Sequence, residues 1–507
     1  MLTSFLYTKE KNNILIIHLS ALIAGLLLPF SFAPYNQLLI MFPLLGWLFF
    51  ICVDQTPAIA FKRAWLFGFG WFVHGVSWIY FSLHVHGAAP SVLAYLIIAL
   101  LSMYLALFPG LAFYASRKLF SVSVSRQLLL VFPLMFTLAE WLRGYFLTGF
   151  SWVQIGYSQI DSWLVGYAPL TGGLGVSAMI AFVCGFLVLM FFKQDGKYSP
   201  LVISPVFILI IWGAGFALMQ INWTEPTGEK IKVSLIQGNI PQKDKWRKYM
   251  YRPTLNMYRD LTEKNWDSNL IIWPETAVPD FERRVKPYLD GIAKQAKQNN
   301  TDVLLGLFIS NPVTGRYYNS VINLQGGVYK KRHLVPLGEY FPFRGLLGFF
   351  AQWINIPMSD VDSGPEQQPA LMAAGQKLGI SICFEDAFDR DVLRDLPAAS
   401  ILVNVSNDAW FETSIEAAQH HQIARMRAVE TGRYMLRSTN TGLTSIINAK
   451  GKVLAIAPQF ERFVLTRDVM AYRGATPYVL WQNYFLVSLS LLVLFIYWLK
   501  LRKNNHQ

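Results

Sequence analysis

The stretch Lys377-Leu-Gly-Ile-Ser-Ile-Cys383-Phe384-Glu385-Asp386 decides how the rest of the chain is read. Leu378, Ile380 and Ile382 alternate with smaller residues, which predicts a buried β-strand. The strand ends at a cysteine, and two carboxylates follow at once. Ligand sites in α/β sheets form at strand ends, and a thiol there beside acids is a candidate nucleophile. An isolated cysteine is otherwise most simply a small buried core residue. The functional reading therefore needs support from elsewhere in the chain.

Composition supplies the frame. The chain has 507 residues, enough for two or three domains, and 53% of them are hydrophobic. Long apolar runs fill residues 1–220 and 478–499, whereas 229–470 has the balance of a soluble α/β domain. A spanning helix needs about 20 apolar residues. Seven stretches qualify before the soluble region, at 13–32, 36–53, 61–82, 89–115, 127–147, 167–192 and 200–220, and an eighth lies at 479–499. The expected organisation is a membrane domain of seven helices at 1–222, a catalytic domain at 229–470, and a final membrane helix with its tail at 478–507. The first stretch is too long for a cleaved leader and lacks a small-residue cleavage site.

Lysines and arginines alternate between loops. They are present at Lys9 and Lys11, Lys62 and Arg63, Arg117 to Arg126, Lys193 and Lys197, and Lys500 to Lys503, and sparse in the loops between, with Arg143 the one imperfect position. The positive-inside rule then puts both termini in the cytoplasm and the soluble domain on the far side, the periplasm of a bacterial inner membrane. The net charge of +13 is read as this topology signal. Without a basic stripe carrying interleaved aromatics, nucleic acid is not an expected partner.

Cys52 and Cys184 fall within the expected spans, so Cys383 has no disulfide partner in its own domain. An unpaired thiol in an oxidising compartment is easier to explain if it does chemistry. Two other strand ends carry suitable charge. Glu275 follows the apolar run Asn269-Leu-Ile-Ile-Trp273 behind Pro274, where a carboxylate serves as a base. Taken alone it fits a helix cap or a salt bridge equally well. Lys331 opens Lys331-Arg-His333-Leu-Val-Pro-Leu-Gly-Glu339 and offers fixed positive charge to an oxyanion. Taken alone it is an exposed strand-end cation. His420 and His421 are adjacent on an expected helix and point apart, so they are not a metal pair. Strands alternate with helices early in the domain and pair as hairpins late, which predicts a layered α/β sheet domain.

Together the three stretches resemble the nitrilase, or carbon–nitrogen hydrolase, superfamily, whose members carry Glu, Lys and Cys in this order near the strand ends of an α-β-β-α sandwich. Seven spans, such a domain and one further span are similar to the apolipoprotein N-acyltransferases, the membrane-embedded branch. The motifs carrying the likeness are Gln237-Gly-Asn-Ile-Pro241 with Trp246, Trp273-Pro-Glu275-Thr, Tyr318-Asn319-Ser320, Lys331-x-His333-Leu-Val-Pro-x-Gly-Glu339, Cys383-Phe384-Glu385 and Ser406-Asn-Asp-Ala-Trp410-Phe. The resemblance implies Cys383 as nucleophile, Glu275 as general base and Lys331 as oxyanion stabiliser. Glu339, Glu385, Phe384, Trp246 and Asn319 are implied in support. The family has Tyr or Phe after the nucleophile, and Phe384 here has no hydroxyl.

The implied reaction passes an acyl chain from a phosphatidylethanolamine-like phospholipid through a Cys383 thioester to the α-amine of a diacylglyceryl apolipoprotein, the last step of bacterial lipoprotein maturation. Thioester to amide is downhill, so no cofactor and no metal is expected. The aromatic run 341–357, with Phe349, Phe350 and Trp353, is expected to form a lid at the lipid interface for substrate access. Trp141, Arg143 and Trp152 are expected near the donor headgroup or as interfacial anchors. Two other readings stand beside this one. A membrane-tethered amidase would share the triad but pass the acyl group to water. A transporter is expected to carry paired carboxylates or lysines of the kind that mark ion pathways within its spans, and these spans are expected to lack them.

Overall fold

In the computed structural model, which describes residues 11–192, 199–340 and 360–505, the chain divides into two units. One comprises residues 1–77, 95–222 and 480–507; the other comprises 78–94 and 223–479. The expected lid, with Phe349, Phe350 and Trp353, lies outside the described residues.

The second unit is built on two six-stranded sheets. The first contains β1 (Glu225–Gln237), β2 (Leu270–Ile272), β3 (Asp302–Ser310), β4 (Tyr317–Asn323), β5 (Val328–Lys330) and β12 (Phe463–Arg473), in the order β12-β1-β2-β3-β4-β5. The second contains β6 (Leu371–Ala373), β7 (Gln376–Ile382), β8 (Ile401–Ser406), β9 (Met435–Thr439), β10 (Ser445–Ile447) and β11 (Val453–Ile456), in the order β11-β10-β9-β8-β7-β6. β1, β2 and β3 are parallel, as are β7, β8 and β9. Each sheet therefore sends a group of parallel strands to one end, the arrangement that builds sites.

Period-two alternation explains the layering. Val233, Leu235, Ile272 and Leu304 of the first sheet share one buried core with Ile380, Ile382, Val403 and Val405 of the second. The opposite face of the first sheet, through Ile271, Val303 and Leu305, packs on helices Lys248–Glu263 and Glu282–Gln298. Leu402 and Met435 of the second sheet pack on helix Glu416–Thr431. This is the α-β-β-α order that the resemblance implied.

Two strands, β6 and β9, are not evident in the sequence. β9 reads Met-Leu-Arg-Ser-Thr, yet all five residues are buried. Ser438 donates to the carbonyls of Ile236 and Ile272, and Arg437 donates to Asn404, Asp386 and Asp408, distant partners that local periodicity does not reveal.

In the first unit, five helices among the described residues are long and apolar enough to cross a membrane, against eight spans expected: Asn13–Ser31, Ser91–Leu119, Trp163–Leu189, Pro200–Met219 and Tyr484–Lys503. The other three expected spans fall short for separate reasons. Leu38–Cys52 is a shorter apolar helix. Helix Pro57–Gly75 carries Lys62, Arg63 and His74. The stretch at 127–147 is a π-helical turn followed by a 12-residue helix, Phe132–Arg143.

Arg143 is buried, and its guanidinium pairs with Glu140 at 3.4 Å, a charge pair inside the expected span 127–147, where none was expected. Its guanidinium donates to the carbonyls of Phe150 (2.6 Å) and Trp152 (2.9 Å) and lies over the rings of Trp71 and Phe72. It pins the chain that follows the helix. Residues 78–94, expected within the membrane part, group instead with the sheets. There Trp78 meets Phe411 edge-on at 4.8 Å, and His86 pairs with Glu412 at 3.1 Å.

Candidate active site

Three strand ends supply the site. β2 stops at Ile272, and Trp273-Pro274-Glu275-Thr276 turns away from it. Trp273 anchors the turn by stacking on Tyr258 at 4.8 Å and donating its indole N–H to Thr262 at 3.0 Å. Gly306 of β3 lets the turn lie flat, since a Cβ there would sit 2.5 Å from the Thr276 nitrogen and 2.7 Å from the Glu275 Cα. Thr276 has φ of +44°, a strained value for a β-branched residue. β5 stops at Lys330, and the Lys331 N–H donates to the Asn319 carbonyl on β4 at 2.8 Å. β7 stops at Ile382, and Cys383 takes φ of +53°, so the nucleophile position is itself a strained corner.

Glu275 and Lys331 are brought together, with Nζ 3.7 Å from Oε1. Both side chains are buried. Glu339 accepts from the Lys331 ammonium at 2.9 Å, and its other oxygen accepts from the Val335 N–H at 2.9 Å. Asn319 donates to Glu275 at 2.7 Å and to Glu339 at 3.1 Å, bridging the two carboxylates. Burial would lower the Lys331 pKa, but Glu339, Glu275 and Cys383 outweigh it and hold the ammonium above its ordinary range. Lys331 is therefore a permanent cation.

Cys383 is partly buried and shares this field. Burial and then the Glu275 charge push its thiol well up, while Lys331 pulls it down. A thiol so placed is a proton donor in the resting site, and its activation requires Glu275 to accept that proton. The carbonyl of Cys383 accepts from Asn404 at 3.1 Å, and His420 Nε2 lies 3.2 Å from it.

The supporting residues separate into different tasks. Glu385 does not reach the Lys331 ammonium within hydrogen-bond distance. Its Oε1 accepts from the backbone N–H of Arg332 (2.6 Å) and His333 (3.1 Å), and its Oε2 from Ile382 N–H (2.7 Å) and the Tyr329 hydroxyl (3.0 Å). It ties the lysine turn to the cysteine strand. Burial, then Asp391, raises its pKa to about 7. Phe384 packs edge-on against Phe388 at 4.9 Å. Trp246 is 44% exposed and stacks on Phe308 at 5.7 Å. His333 stacks on Phe388 at 3.7 Å and pairs with Asp391 at 3.0 Å, which occupies it away from the thiol.

Sequence reasoning missed the groups beneath Cys383. His420 lies 2.7 Å from Asp386, and Arg437 lies 3.0 Å from Asp408. Asp408, Glu416 and His420 have the donor types of a metal site. Arg437 already holds Asp408 from the other side, so the set is better satisfied as an ionic cluster than as a ligand shell. Lys245 was also missed. Its ammonium donates to Thr276 Oγ1 at 2.6 Å and to the Glu275 carbonyl at 3.3 Å. The sequence signal for it was its place beside Trp246, just after the stretch Gln237–Pro241.

Residues 24–186 match the family described as Apolipoprotein N-acyltransferase N-terminal domain, and 232–478 match Carbon-nitrogen hydrolase. The apolipoprotein N-acyltransferase of Methylococcus capsulatus is 43% identical over 494 residues, covering 96% of this chain and 97% of its own. That of Coxiella burnetii is 39% identical, covering 94% of this chain and 98% of its own. Both units of the chain therefore fall inside the likeness.

Proposed function

This chain belongs to the apolipoprotein N-acyltransferase family and is an acyltransferase, and we propose that it moves an acyl chain from a membrane phospholipid, through a thioester on Cys383, to the α-amine of a diacylglyceryl-cysteine at the start of an apolipoprotein. The observation that carries this reading is the buried group of Glu275, Lys331 and Glu339 acting on a single thiol.

The first half-reaction begins with proton transfer from Cys383 Sγ to Glu275. The thiolate attacks the ester carbonyl carbon of the donor, and the oxyanion that forms is stabilised by the Lys331 ammonium and backbone N–H groups near residue 384. The carbon–oxygen ester bond breaks. Glu275 returns its proton to the departing alkoxide, and a lysophospholipid leaves. In the second half, Glu275 takes a proton from the attacking amine, a carbon–nitrogen bond forms, and the carbon–sulfur bond breaks. The proton returns to Sγ and the enzyme is regenerated. Lys331 stays charged throughout, so it stabilises both tetrahedral states without moving a proton.

A phosphatidylethanolamine-like donor, an apolipoprotein acceptor, a bacterial inner membrane setting with the sheets in the periplasm, and cytoplasmic termini complete the reading. The apolar helices support the membrane setting, and the alternation of basic and non-basic loops supports the orientation. The test is intact-protein mass spectrometry after incubation with phospholipid vesicles. A hydroxylamine-labile acyl mass is expected on the wild type and absent from Cys383→Ala. Adding a diacylated-cysteine peptide should yield an amide. Free fatty acid alone would make the protein a hydrolase and end the transferase reading.

A further inference from the structure

Lys245 is a buried lysine that the proposed reaction does not use. It is 2% exposed, and its two hydrogen-bond partners are neutral: the Thr276 hydroxyl and the Glu275 backbone carbonyl. Burying an ammonium costs several kcal/mol unless charge compensates it, and a hydroxyl and a carbonyl need no cation to be satisfied. Burial lowers its pKa to about 8, and the charge that resists the lowering is Glu275. The lysine therefore sits behind the base, on the backbone that presents it.

Its position in the chain adds a second observation. Loop 239–246 is tied at its other end to the strand ends of the second sheet. Asn407 donates to Gln242 at 2.8 Å, and Asn440 bridges Asn407 and the Ile240 carbonyl at 3.0 and 2.7 Å. Asn407 directly follows β8, the strand paired with the cysteine strand through Ile382↔Val405. One short loop thus spans from the turn bearing Glu275 to the strand beside Cys383. The turn it grips is the strained one, with Thr276 at positive φ and Gly306 pressed beneath it.

We propose that Lys245 is a positioning residue: through loop 239–246 it fixes the Glu275 turn at the separation from the Cys383 strand that proton transfer requires. The proposal rests on the thioester reading above and deepens it. A base displaced by about 1 Å loses about a hundredfold in rate, without loss of substrate affinity.

The experiment measures acyl loading of Cys383 by time-resolved intact mass spectrometry at a series of phosphatidylethanolamine vesicle concentrations, on the full-length protein. Lys245→Met is expected to lower the saturating loading rate about a hundredfold with the half-saturating concentration unchanged, and Lys245→Arg to restore part of it. Gln242→Leu, which releases the far end of the loop, is expected to lower the rate in the same way and decides the matter if Lys245→Met does not fold. A folded Lys245→Met or Gln242→Leu protein that loads at the wild-type rate, or one that changes only the half-saturating concentration, overturns the proposal. Wild-type protein that never loads would instead remove the thioester reading itself.

Discussion

In front of Glu275, the Lys331 ammonium faces two carboxylates, 3.7 Å from Glu275 and 2.9 Å from Glu339, while Lys245 stands behind on the Glu275 backbone. Around His420, two cationic groups face three carboxylates: His420 contacts Asp386, Asp408 and Glu416, and Arg437 contacts Asp386 and Asp408. Both clusters are buried, and both stand at strand ends of the second unit. They act on different parts of the same residue. The first sets the charge around the Cys383 thiol. The second reaches the Cys383 carbonyl, with His420 at 3.2 Å, and so holds the backbone that gives the residue its positive φ. The first cluster acts chiefly on reactivity and the second chiefly on geometry, although Asp408 of the second also pushes the thiol up. Similar burial therefore leads to different expected consequences on substitution.

Removing the cation of the first cluster should have the largest effect. Lys331→Met leaves Glu275 and Glu339 buried without their partner, which is expected to cost about 3–5 kcal/mol of stability. Losing an oxyanion donor lowers the rate by about 10²–10³-fold as well. Denaturant unfolding and acyl-loading rates should both move; a stable Lys331→Met that still loads would remove the lysine from the mechanism.

Arg437→Met should match that stability cost, about 3–5 kcal/mol, because Asp386 and Asp408 lose their shared cation. Its loading rate, measured on the folded fraction, should fall less than that of Lys331→Met. Equal rate losses would erase the distinction between the two clusters.

Asn319→Leu tests the bridge between the carboxylates. The expected cost is about 1–3 kcal/mol, read by chemical denaturation, since two buried acceptors lose a donor.

The smallest effect is a pH dependence. Burial and Arg437 oppose protonation of His420, but Asp386 and Asp408 hold the imidazolium well above the ordinary 6.5. Its stabilisation is fully present below 6.5 and is lost as pH rises through the folded value. Glu416, raised by burial to about 7, acts in the same direction: its contribution is greatest below 4.5 and fades as pH rises to about 7. Melting temperature should therefore decline on the alkaline side, and His420→Gln should flatten that decline. An unchanged slope would show the imidazole to be neutral in the fold.

Much of this arrangement was legible in the sequence. The alternation of Leu378, Ile380 and Ile382 located β7, and the cysteine after it followed directly. Glu275 could be picked out because its charge follows an apolar run, whereas Lys331, next to Lys330, was picked out by its spacing to His333. The long apolar stretches announced the membrane-type helices, although among the described residues length and composition support five where eight were expected. At 127–147 a π-helical turn at Gln127–Val131 divides an otherwise continuous helical course, so the regular α-helix there is only 12 residues long.

Residue order along the chain, the period of each strand and the lone thiol of the soluble region were determined by the sequence itself, because each is a local property. Only the tertiary structure decided that Asn319 bridges two carboxylates, that Glu385 serves backbone donors, that Arg437 of a polar strand is buried, and that Lys245 stands behind Glu275. Those relations join residues tens of positions apart, and a side chain's partners are fixed by which strand ends the topology brings together, not by its own neighbours in sequence.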